Sequence, residues 1–212
     1  MSYATWTILI VTCACFAAAS IDSGIERNVM QYFAFVPIQF SVHPALNLYR
    51  LVTAEFVHAN LLHLFGNILF LFALGRAVEN TVGSVSFLVS FVLLGALGFL
   101  GSWVVDPSSP VPIIGNSGAV SFLLGGYVLL FPRAKIRILP FIRWPYFRAW
   151  FFAAVWILIQ VLDAATLGER GSGIAYWTHF AGFAIGMVAA ACWKEFAIDT
   201  QHLISEVSKD QS

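Results

Sequence analysis

Three stretches of this chain carry reactive side chains inside apolar surroundings, where polar groups are expensive. The run "GNSGAVSFLLGG", Gly115 to Gly126, opens an apolar segment with Ser117 set among small residues. "YWTHFAGFAIGM" (176–187) carries His179, and "EFVHANLLHLFGNILFLFALG" (55–75) carries His58, Asn60, His63 and Asn67. A serine hydroxyl becomes an effective nucleophile when a base removes its proton, and an imidazole is the usual base. Ser117 and His179 supply that pair. Acyl transfer also needs donors for the developing oxyanion. The candidates are the Asn67 amide, the His63 ring N–H and the backbone N–H of Ser117 at a helix start. Gly115 and Gly118 would leave room for a substrate carbonyl to reach that backbone. Asn60, with His58 nearer the mouth, would line a water-holding cavity. No metal site is expected, because His58 and His63 are five apart, whereas a helical zinc pair takes a spacing of four. Asp163 is the intramembrane carboxylate available to orient His179, and no spacing ties the two, so a Ser–His dyad is the economical reading.

Such residues need a scaffold to bring them together, and composition says what kind. Of 212 residues, 59% are hydrophobic and only 10% charged, with a mean hydropathy of +0.83. A soluble domain carries about a quarter charged residues, so this is the composition of an all-α membrane protein. The formal net charge of zero argues against a nucleic-acid partner. Cys13, Cys15 and Cys192 lie in apolar runs, and an odd number gives no disulfide framework. Apolar runs measured against the ~20 residues of a spanning helix predict six spans. They fall near 4–21, 53–75, 84–105, 115–132, 149–166 and 176–193. With no repeat and no long linker, residues 1–212 read as one domain, ending in a short amphipathic cytosolic tail at 194–212. The connection 22–52 is half apolar and aromatic, as expected of a segment lying in the membrane interface.

Orientation follows from the cations. The connection between Pro132 and Arg148 holds Arg133, Lys135, Arg137, Arg143 and Arg148 with no acidic residue, which makes it cytoplasmic. Alternation then puts both termini on the cytoplasmic side and loops 22–52, 106–114 and 167–175 outside. Spans two, four and six run parallel. Counted from the inner-end residues Arg76, Arg133 and Lys194, His63, Ser117 and His179 lie at roughly 20, 24 and 22 Å. Three helices thus carry their odd polar residue at one level. Small-residue stripes predict how two of them meet: Gly182 and Gly186 on the sixth span against Ser117, Ser121 and Gly125 on the fourth. A solute channel with a polar midplane would show paired half-helices or an inverted repeat, and neither is visible.

Taken together these motifs resemble those of the rhomboid family of intramembrane serine proteases, over about Tyr49 to Trp193. The resemblance rests on "HANLLHLFGN", "GNSGA" and "HFAGFAIG", in that order on the predicted helices, with "GRAVENTVG" (75–83) as the family's glycine–glutamate turn. Tyr49-Arg50 stands where the family often has Trp-Arg. The resemblance implies a six-helix rhomboid bundle, Ser117 as nucleophile, His179 as general base, and an oxyanion hole of Asn67, His63 and the Ser117 amide. It gives His58 the water-facing mouth of the site. It leaves Tyr49, Arg50, Glu79, Gly182 and Gly186 structural, and implies no cofactor. Substrates would be transmembrane segments of other proteins, cut within the bilayer near their outer end. The short termini fit a minimal prokaryotic cell-membrane version with the site opening outward. Some family members carry a tyrosine one turn after the nucleophile, stacked on the histidine; here that position is Ser121, so Phe122 or Trp177 is expected to hold the ring. The alternative implied by the same resemblance is an inactive rhomboid-like binder of transmembrane helices.

Overall fold

The computed structural model describes residues 2–136, 146–168 and 173–210, with side chains as far as Phe196. Asn60 is an N-cap residue by chemistry: its Oδ1 accepts the His63 N–H at 2.9 Å and starts the helix at Leu61. The chain before it is short and broken, giving α1 (Tyr3–Ala19), α2 (Ser23–Phe33), α3 (Pro37–Val42), α4 (Pro44–Asn47), α5 (Tyr49–Thr53) and a 3-10 turn at Ala54–Phe56. The second long helix is α6 (Leu61–Val82), so the expected start near 53 is corrected by eight residues. Residues 57–60 are irregular, with Val57 and Asn60 in extended backbone, and His58 and Asn60 do not lie on the helix. Then follow α7 (Ser84–Val89), a π turn (Ser90–Leu94), α8 (Phe99–Val105), α9 (Ser117–Leu130), a two-stranded ribbon of β1 (Lys135–Ile136) and β2 (Phe147–Arg148), α10 (Ala149–Thr166) and α11 (Tyr176–Asp210). The expected boundary at 193 falls inside α11, whose backbone continues helically through the tail. Arg137 and Arg143 lie outside the described residues.

Among the described residues, three helical stretches are long and apolar enough to cross a membrane: Leu61–Val82, Ser84–Val105 and Ala149–Thr166. α1 and α9 are shorter apolar helices. Lipid offers no hydrophobic drive for one apolar helix to leave it for another, so close packing must come from small residues and polar ties. Both devices are present. Glu79 of α6, 1% exposed, accepts Ala4 N–H at 2.8 Å, Thr5 N–H at 2.9 Å, Thr5 Oγ1–H at 2.7 Å and Ser84 Oγ–H at 2.7 Å. One carboxylate thereby satisfies two of the unpaired amides opening α1 and ties that helix to α6.

The seam between α9 and α11 is the glycine device. A Cβ on Gly182 would overlap the Gly118 carbonyl, and one on Gly186 would overlap that of Phe122. Contacts that advance together along both helices mean the two run parallel. The stripe on α9 is therefore Gly118, Phe122 and Gly125 rather than Ser117, Ser121 and Gly125, one residue further round. Ser121 instead donates to the Ser117 carbonyl at 2.7 Å.

The segment 22–52 is folded against the bundle. Phe35, Phe40, Leu51 and Ala54 share a buried cluster with Ala96, Phe99 and Ile113. Arg50 donates to the Ala34 carbonyl at 3.0 Å, and the Tyr49 hydroxyl to that of Tyr32 at 2.7 Å. Phe35 bridges Ile113, with N···O distances of 3.0 and 2.7 Å, and Gly115 N–H donates to the Ala54 carbonyl at 2.8 Å. This packed segment holds the short strand of chain leading into Ser117.

Candidate active site

Ser117 is the first residue of α9 and His179 lies in the first turn of α11. With Gly118 against Gly182, the two helix starts lie at one level, and Ser117 Oγ stands 2.8 Å from His179 Nε2. The backbone N–H of Ser117 precedes the first intrahelical bond, from Val120 N–H to the Asn116 carbonyl at 2.8 Å. It is therefore one of the unpaired donors at a helix start, beside the hydroxyl. Thr178 steadies the other helix start: its N–H lies 3.2 Å and its hydroxyl 2.9 Å from Ser102 Oγ of α8.

Ser117 and His179 line an open cavity of about 1010 Å³ together with His63, Asn67, Asn60 and Ser121. α6 brings His63 and Asn67 to it from the same face, one turn apart. Gly115 makes their approach possible. It adopts φ +95°, and a Cβ there would stand 2.5 Å from the His63 ring and 3.4 Å from Asn67 Nδ2. Asn60 reaches the cavity as the cap of α6 and not as part of a polar helix face. His58 departs further from expectation. The irregular segment 57–60 sets it against the first turns of α6, where it is buried, 3.0 Å from Asn67 Nδ2 through Nε2 and 5.0 Å from the His63 ring centre. It lies behind Asn67, away from the mouth. Gly118 likewise faces α11 and Thr178 instead of the cavity; its role is close packing.

The neighbours of the His179 ring come from a helix the sequence reading left out of the site. His179 Nδ1 lies 2.7 Å from Oε1 of buried Gln160 on α10. Trp156, one turn earlier on α10, stands 6.0 Å from the His179 ring at 40° and stacks on Phe183 at 6.2 Å. Of the residues expected to hold the ring, Phe122 packs on Trp193 and Trp177 on Phe180. Gln160 escapes a reading that asks only for a carboxylate to orient His179. A neutral amide in "AWFFAAVWILIQVLDAAT" is as conspicuous in an apolar helix as Asn67 in its own. Asp163 is only half-buried, and a more deeply buried acid lies elsewhere. Glu55, in the 3-10 turn ahead of α6, is 1% exposed and neither of its oxygens is hydrogen-bonded.

A glutamine carbonyl can only accept, so Nδ1 of His179 carries the proton and Nε2 presents its lone pair to Ser117. That is the tautomer a general base requires. The assembled groups are thus a hydroxyl on a correctly tautomerised imidazole, with an amide and a second imidazole across the cavity. Such a set can take a proton from Ser117 and stabilise negative charge opposite it.

Comparison with known sequences gives the same direction. A family model described as the Rhomboid domain matches residues 45–195. A protein named Rhomboid protease GlpG from Serratia proteamaculans (strain 568) is 31% identical over 157 residues, covering 74% of this chain and 50% of that protein. Its namesake from Klebsiella pneumoniae is 28% identical over 202 residues, covering 93% of this chain and 63% of that protein. A relative named Rhomboid-like protein 11, chloroplastic, from Arabidopsis thaliana is 40% identical over 82 residues, covering 39% of this chain and 29% of that protein. The chain spans less than two thirds of the length of each of these relatives.

Proposed function

The chain belongs to the rhomboid family, and on that premise we propose that it is an intramembrane serine endopeptidase working through a Ser117–His179 dyad. Family and apolar helices make it an integral membrane protein. The observation that carries the reading is the 2.8 Å approach of Ser117 Oγ to His179 Nε2 at the wall of a large cavity. Relatives named as proteases support it.

In the proposed reaction, His179 Nε2 takes the hydroxyl proton as Ser117 Oγ bonds to the scissile carbonyl carbon. The oxyanion that forms is met by the Ser117 N–H, the Asn67 amide and the His63 ring. Collapse breaks the C–N bond, and His179 returns the proton to the leaving amine. Water from the cavity, deprotonated by the same imidazole, then attacks the acyl-serine, releasing a carboxylate and restoring Ser117. Substrates are transmembrane segments of other proteins in a prokaryotic cell membrane. The bundle crosses it six times with both termini cytoplasmic and the site towards the outer face.

Labelling with a fluorophosphonate probe in detergent tests this directly. Wild type is expected to label and to cleave a model transmembrane substrate, while Ser117→Ala does neither. His179→Ala is expected to lose at least 10³-fold in labelling rate. Folded wild type that never labels would move the reading to a non-cleaving binder of transmembrane helices.

A further inference from the structure

We infer that Gln160 is a positioning residue of the reaction: its side-chain carbonyl fixes the tautomer and plane of His179, and α10 thereby forms the third part of the catalytic unit. The inference rests on the proposed proteolytic reading and adds to it a residue outside the dyad.

The geometry is specific. Gln160 Oε1 lies 2.7 Å from Nδ1 on one side of the ring while Ser117 Oγ lies 2.8 Å from Nε2 on the other, so both nitrogens are engaged and the ring is held along its long direction. Trp156 bounds one flank of it. Ala149, Ala153, Trp156 and Gln160 are spaced by four, three and four, a single helical stripe. Of these, Ala149, Ala153 and Gln160 are the buried residues of α10. The stripe therefore has two parts, small residues that seat the helix and a Trp–Gln pair that addresses His179.

An amide suits this place better than an acid. A carboxylate paired with a neutral imidazole in an apolar bundle would pay heavily for desolvation. A glutamine carbonyl accepts from Nδ1–H without carrying charge, and its dipole still favours the imidazolium that forms when Ser117 is deprotonated. If the amide turned its nitrogen to the ring, the proton would move to Nε2 and the base would be lost. Among the described residues, His63 across the cavity on α6 acts electrostatically on His179, and Asp106 also lines the cavity. Asp163, one turn beyond Gln160, is half-buried and is not the partner of Nδ1.

The test compares Gln160→Leu and Gln160→Glu with wild type, and Ser117→Ala as the control for the proteolytic reading. Gln160→Leu is expected to fold with a closely similar Tm, to lower kcat roughly 10–100-fold and to leave KM unchanged. Gln160→Glu again offers an acceptor and is expected to recover much of that loss. Its negative charge would favour the imidazolium form of the ring, so the acid limb of kcat/KM should move to higher pH. Nitrogen-15 shifts of labelled His179 read the tautomer without any turnover: Nδ1–H in wild type and in Ser117→Ala, and a mixture or Nε2–H in Gln160→Leu. Wild-type kcat in Gln160→Leu, a glutamate variant no better than leucine, or Nδ1–H persisting in Gln160→Leu would each overturn the inference. Cleavage that survives in Ser117→Ala would overturn the protease assignment instead, whatever the nitrogen shifts show.

Discussion

α9 and α10 both reach His179, and they are built on opposite rules. α9, 14 residues long, buries an unbroken run from Gly118 to Tyr127, and its backbone lies directly against that of α11 through Gly118, Gly182 and Gly186. α10, 18 residues long, buries only Ala149, Ala153 and Gln160, and turns Trp150, Phe151, Val155, Leu158, Ile159, Val161 and Leu162 outward. The first arrangement fixes where Ser117 and His179 stand. The second fixes only how the imidazole is turned. In a bilayer this division has a physical reason: contact between small residues is what holds helices close, while a helix attached by a few side chains costs little to displace. Position is thus entrusted to backbone contact, and orientation to a hydrogen bond and a tilted ring contact.

The largest effect should come from breaking the backbone contact. In Gly186→Ala the new methyl overlaps the Phe122 carbonyl, an atom that cannot rotate away, so the helices must part. Overpacking typically costs about 1–3 kcal/mol, and this case belongs at the upper end or beyond. Thermal unfolding in detergent should show a clear loss of Tm, with fluorophosphonate labelling reduced at least tenfold because Ser117 and His179 no longer meet. An unchanged Tm would mean that α9 and α11 are not packed as tightly as the comparison requires. A smaller effect is expected from Trp156→Leu on α10. An aromatic pair is worth about 0.5–1.5 kcal/mol beyond its area, which corresponds to roughly 2–10-fold in kcat. Stability should move less than in Gly186→Ala. A Tm loss equal to that of the glycine variant would erase the distinction between the two helices.

What the sequence disclosed follows the same division. The seam was legible because glycines at a spacing of four in an apolar helix have few other uses. The level shared by His63, Ser117 and His179 could be counted from charged helix ends. The face presented by α9 was off by one residue, since Ser117, Ser121 and Gly125 and the true stripe of Gly118, Phe122 and Gly125 are adjacent on the helix. His58 was misjudged because Asn60, read as a helical polar residue, is the cap at which the helix begins. A cap and a buried polar residue look alike in a string of letters until the chain direction before it is known. Gln160 and Trp156 stayed hidden for a different reason. They belong to a helix whose pattern is apolar all round, so periodicity gave no inner face, and their meaning depends on a contact with α11, 19 residues away in the chain at His179.

The smallest expected effect is the most discriminating, because it concerns the outward face of α10. Leu162 is 54% exposed and is two residues from Gln160 on the opposite side of the helix. In a soluble protein an exposed leucine on a helix would already be near neutral to truncation. In a bilayer the argument is stronger, since lipid tails are as apolar as leucine and the side chain merely exchanges one hydrocarbon neighbour for another. Leu162→Ala is therefore expected to leave Tm within about 0.5 kcal/mol equivalent of wild type and labelling within about twofold. Measured beside Trp156→Leu, it separates the two faces of one helix. If the outward change weakened labelling as much as the inward one, α10 would be acting through its overall placement, and the stripe of Trp156 and Gln160 would lose its claim to orient His179. If only the inward change registers, the control of the imidazole resides in those two side chains, and the rest of the helix is free to meet lipid.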